Sequence, residues 1–111
     1  MKIDDLKIEF IHINKKRIHV AMLKQKCQKL LDRSESIIDL RVELIRDAHS
    51  RSHKNEFIAK GHLSFKGKSS VVSAASDDIL KSIDFLFDKM DRVLRRKSRI
   101  EKFKRHLNIF K

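Results

Sequence analysis

Leu80, Ile83, Phe87, Met90 and Leu94 recur at intervals of 3, 4, 3 and 4 residues, with a charged residue in every gap. That period predicts a helix of at least four turns with one apolar seam, which must find a surface to cover. Ser76, Asp77 and Asp78 precede the seam and supply an N-cap and first-turn acids. Upstream, the period changes to 2. Ile38, Leu40, Val42 and Leu44 alternate with Asp39, Arg41 and Glu43, and Phe57, Ala59, Gly61, Leu63 and Phe65 share one face of a second alternating run. These segments are strands with one buried face, the surface that the seam requires.

Two more segments complete the pattern. Leu6-Lys7-Ile8-Glu9-Phe10 alternates as a first strand, and Val20, Leu23, Cys27 and Leu30 place an apolar stripe on a helix over 16–33. Residues 46–55 read as a loop. Lys66-Gly67 reads as a hairpin turn leading to a fourth strand over 69–75. The order is β-α-β-β-β-α. A right-handed crossover makes strands one and two parallel, and a meander adds strands three and four antiparallel. The expectation is an α+β two-layer sandwich: a four-stranded mixed sheet of order 1-2-3-4 with both helices on one face.

A chain of 111 residues holds one domain of this kind. Its single Cys excludes an internal disulfide framework or a multi-Cys metal site, as expected of a cytoplasmic protein. Two Gly and no Pro argue against a Gly-rich phosphate loop. No apolar run reaches the roughly 20 residues of a membrane span. His49 and His53 stand four apart, but no third ligand is near, and Ser, His and acidic residues are not positioned for catalysis. No cofactor, metal or small-molecule substrate is expected.

Charge is the functional signal. There are 27 Lys and Arg against 15 acids, a net of +12. Between Arg92 and Lys111 stand nine cations and one acid, Glu101. Lys89, Arg92, Arg96 and Arg99 are spaced 3-4-3 on a helix face roughly opposite the seam, and Lys97 widens the patch. Each step rises about 5 Å along the axis. On the first helix Lys26, Lys29 and Arg33 repeat the 3-4 spacing, so two cationic ridges are expected on one layer. Such a stripe repels itself unless a polyanion completes it. With no Trp or Tyr to stack on bases, recognition of shape and phosphates in structured RNA is the better reading. A general double-stranded RNA-binding module is the alternative.

The element order, Lys26-Cys27-Gln28-Lys29-Leu30 in the first helix, and Asp78-Ile79-Leu80 through Ile83-Asp84 to Asp88-Lys89-Met90-Asp91-Arg92-Val93-Leu94-Arg95-Arg96-Lys97 resemble the ribosome hibernation promoting factor and ribosome-associated inhibitor family. The spacing of Leu63, Gly67 and Ala74 fits as well. Val93 stands where the family carries a polar residue, and the match is poor over 16–19. The resemblance implies a non-catalytic factor that docks on the small ribosomal subunit where mRNA and tRNAs bind, blocks translation and preserves idle ribosomes in stress and stationary phase. It places Lys26, Lys29, Lys89, Arg92 and Arg96 against ribosomal RNA; Lys97 and Arg99 join them on charge grounds. The chain is too short for the dimerising domain of long members, which implies a short form that would need a separate ribosome modulation factor to pair ribosomes. The domain is expected over 1–99. Over 100–111, Ile100, Phe103, Leu107 and Phe110 pattern a basic amphipathic tail. It is read as an extension of the last helix, an arm along ribosomal RNA, or a docking element for a protein or membrane partner.

Overall fold

The computed structural model describes residues 2–34, 36–47 and 56–109, with side chains except at Asp4, Ser98, Arg99, Glu101, Lys102 and 104–109. After a 3-10 turn at Ile3–Asp5 come β1 (Lys7–Ile11), α1 (Arg17–Arg33), β2 (Asp39–Asp47), β3 (Glu56–Phe65), β4 (Lys68–Ser76) and α2 (Ile79–Ile109). The sheet order is β1-β2-β3-β4, with β1 parallel to β2 and the other pairs antiparallel. The expected fold is therefore present, its two helices on one face. His49 and His53 fall outside the described residues, and no cluster of metal-ligating side chains occurs among the described ones.

The alternation in β2 and β3 aims Leu40, Val42, Leu44, Ala59, Leu63 and Phe65 at the helices, where they meet Leu23, Cys27 and Leu30 of α1 and Ile83, Leu86, Met90 and Leu94 of α2 in one core. Gly67, at φ +73°, closes the two-residue β3–β4 hairpin. Asp78 Oδ1 accepts the Leu80 N–H at 2.9 Å and caps α2 as expected. One turn on, the fully buried Ser82 donates from Oγ to the Phe57 carbonyl at 2.7 Å, pinning the start of α2 to β3.

The expected loop over 46–55 begins later, because β2 continues through Arg46 and Asp47, and 48–55 lie outside the described residues. Three details of burial also differ from the sequence reading. Leu80 is 38% exposed, and Leu86 is fully buried in the seam. The line through Ile83, Leu86 and Met90 sets the buried direction, and at about 100° per residue Ile79 lies near it while Leu80 is rotated away. On α1, His19 takes the buried place expected for Val20. Before β2, Ile37 is buried and Ile38 exposed, because strand geometry begins only at Asp39 and alternation does not extend back through the turn.

Burial carries two measurable consequences. Desolvation pushes the Cys27 thiol up to about 12, so the native chain is expected to resist thiol-specific reagents at pH 8 and to react fully once unfolded in urea. Burial, followed by the nearby Lys16, lowers the pKa of His19, with Asp78 opposing. Its Nδ1 has no hydrogen-bond partner. The unfolded chain then binds the proton more readily. Stability is expected to be full above pH ~6.5, to fall as pH drops through that value, and to level off below the lowered native pKa. Urea midpoints measured from pH 7.5 to 5 should show this slope, and His19→Leu should flatten it.

Candidate nucleic-acid interface

Alpha-helical spacing and packing against β3 and β4 divide the surface of α2 into two flanks. One flank faces α1 and carries Asp84, Asp88 and Asp91, spaced 4-3. These acids meet the α1 cations: Lys26 Nζ lies 2.6 Å from Asp84 Oδ1, and Arg33 Nη1 lies 3.1 Å from Asp91 Oδ1. Arg95 turns back to the same Asp91 at 2.8 Å. A shallow groove of about 130 Å³ runs between the helices, lined by Lys29, Arg33, Phe87 and Asp88. The two expected ridges are thus separated by a strip of acid, and the inner side of each helix is largely neutralised.

The opposite flank differs. Arg92 and Arg96 are exposed, and neither has a carboxylate within 4 Å among the described residues. Lys89 leans toward the sheet and donates from Nζ to the Ser73 carbonyl of β4 at 2.8 Å. The Lys97 ammonium sits 4.9 Å from the centroid of the Phe65 ring, a cation–π distance. Lys29 is exposed and, like the two arginines, has no carboxylate within 4 Å among the described residues. The side chain of Arg99 lies outside the described residues, although its backbone continues α2.

Sequence reasoning passed over Lys68. The β3–β4 hairpin brings it to the C-terminal part of α2, where Lys68, Arg96 and Lys97 surround a cavity of about 170 Å³ together with Ser70, Val93 and Ile100. The Lys66-Gly67-Lys68 turn was the available signal; its meeting with Arg96 depends on how α2 lies across the hairpin. Residues 92–100 form more than two helical turns without an acidic residue, and they bring guanidinium and ammonium groups close together, an arrangement that holds phosphate oxygens well. No helix among the described residues is long and apolar enough to cross a membrane.

Fold and surface together define a small α+β protein whose sheet-backed helix displays Arg92 and Arg96 with no carboxylate within 4 Å among the described residues. Among solved structures, a ribosomal subunit interface protein from Coxiella burnetii superposes with a TM-score of 0.73 at 14% identity, over 84% of this chain and 96% of that one. The N-terminal domain of Protein Y from Thermus thermophilus gives 0.63 at 13% identity, over 81% and 93%. No curated protein matches the sequence significantly. Residues 6–106 match the model of the Sigma 54 modulation protein / S30EA ribosomal protein family, and the chain belongs to that family.

Proposed function

We propose that this protein is a ribosome hibernation factor: it docks on the small-subunit ribosomal RNA in the mRNA and tRNA channel, inhibits translation and preserves idle cytoplasmic ribosomes. The observation that carries the reading is the pair Arg92 and Arg96, exposed on a helix with no carboxylate within 4 Å among the described residues, in a chain of this family. The similar fold of a ribosomal subunit interface protein supports it. Arg92 and Arg96 form the centre of the contact, with Lys97, Arg99, Lys29 and Lys68 around it. Lys26 and Lys89 join by exchanging Asp84 and the Ser73 carbonyl for phosphate. The segment 100–111, basic by sequence, serves as an arm on the RNA.

Sedimentation of stationary-phase lysate through sucrose tests this. The protein is expected with the small subunit and whole ribosomes; recovery only in the ribosome-free top fractions would overturn the proposal. With about six phosphates engaged, affinity should drop on the order of 10³-fold between 50 and 200 mM salt. A gel shift in which any long RNA duplex competes as well as the small subunit would favour the double-stranded RNA module instead.

A further inference from the structure

The helices cover one face of the sheet and leave the other open, and that open face carries an organised depression. Strand register aligns Lys7 of β1, Arg41 of β2, His62 of β3 and Val71 of β4 in one row across the sheet. The next row holds Asp39, Ser64 and Ser69. Together these residues line a cavity of about 310 Å³.

The polar groups there fall into two sets. Glu43 Oε1 accepts from Arg41 Nη2 at 3.2 Å and from His62 Nε2 at 3.1 Å, which holds both side chains across the centre of the face. Arg41 Nε is buried and has no hydrogen-bond partner. Around this braced centre, the Asp39 carboxylate, the Lys7 ammonium and the Ser64 and Ser69 hydroxyls make no side-chain hydrogen bond or ion pair among the described residues. Val71 is 64% exposed beside them. A fixed aromatic ring and an aliphatic platform, ringed by open groups of both signs, do not suit a bare anion: Asp39 would repel it, and Glu43 already takes much of the Arg41 charge. They suit a flat heterocycle that both donates and accepts hydrogen bonds and carries a phosphate at one end.

We propose that this depression binds one unstacked guanine nucleotide of RNA. A carboxylate only accepts, and its two oxygens match two donors side by side. Guanine offers such a pair, N1–H and the 2-amino group, to Asp39. Ser64 and Ser69 meet O6 and N7, His62 and Val71 support the ring, and Lys7, two strand spacings of about 4.8 Å away from His62, reaches the phosphate. The inference rests on the reading of this chain as an RNA-binding factor, and it adds a base-reading site on the face away from the α2 arginines.

Calorimetric titration of the full chain with GMP, AMP, CMP, UMP and inorganic phosphate tests it. GMP should bind saturably and on the order of 10-fold more tightly than UMP, as one bidentate contact discriminates. Asp39→Asn should bring GMP down to the level of UMP, and Val71→Glu should remove binding of all four with the circular dichroism spectrum unchanged. Absence of saturable GMP binding at about 10 mM, equal binding of GMP and UMP, or inorganic phosphate binding as well as GMP would each overturn the site. Arg92→Glu/Arg96→Glu should keep GMP binding. Ribosome sedimentation without GMP binding therefore sinks this site alone, whereas GMP binding without ribosome sedimentation sinks the ribosomal reading alone.

Discussion

Replacing Arg92 and Arg96 together by Glu is expected to abolish co-sedimentation with the small subunit while leaving the melting temperature within about 3 °C of the parent. Both side chains are exposed with no carboxylate within 4 Å among the described residues, so no ion pair described there is lost, and surface substitutions of this kind fall within about ±0.5 kcal/mol. Binding is another matter. Each arginine would surrender a charge-assisted contact of about 1.5–3 kcal/mol, and each new carboxylate would face phosphate, so the loss should be at least on the order of 10²-fold. The slope of log affinity against log salt should shrink by about 2, one for each phosphate contact. Arg92→Lys/Arg96→Lys, which keeps the charge and removes the two-pronged geometry, should retain part of the binding. Undiminished sedimentation of the double Glu variant would remove the α2 flank from the interface.

Gly61→Ala is expected to destabilise the protein by about 2 kcal/mol, although alanine is ordinarily the better strand residue of the two. A methyl group there would stand 2.6 Å from Met90 Sδ and 3.4 Å from Leu86 Cδ1. Met90 is fully buried, so its thioether can yield only by displacing the core around it. The missing side chain of Gly61 is the socket into which α2 seats Met90. Met90→Ala alone should remove roughly 2–5 kcal/mol by leaving a cavity. The double variant should recover part of that, with a coupling of about 1 kcal/mol, because the new methyl partly fills the space. Urea midpoints for the four proteins give the cycle. Simple additivity would mean that α2 does not seat on β3 through this pair.

The architecture was legible because its signals are local and repeated. Leu40-Val42-Leu44 and Ala59-Gly61-Leu63-Phe65 each declare a face by alternation, and the crossover rule orders the strands without further information. The errors fall where an element begins. Leu80 keeps the 3-4 spacing but is rotated away from the buried line of α2, and Ile38 lies where the pleat is not yet established. The charged surface was legible only in part. Asp84, Asp88 and Asp91 mark one flank of α2 by spacing, yet only packing shows that α1 lies against that flank and that Lys26 and Arg33 are thereby matched. Lys89 shares the ladder's spacing with Arg92 and Arg96, but its reach to the Ser73 carbonyl depends on the tilt of α2 over β4, which no local pattern encodes.

That last contact guards a border. From Ser69 onward β4 carries only small and β-branched residues without charge, and it is an edge strand, the kind of margin along which identical chains zip together into aggregates. By parking an ammonium on the Ser73 carbonyl, Lys89 sets a hydrated charge on that margin, and an incoming copy would have to strip it bare before pairing. The same side chain that opposes edge pairing in the free protein is one that the proposed partner would claim.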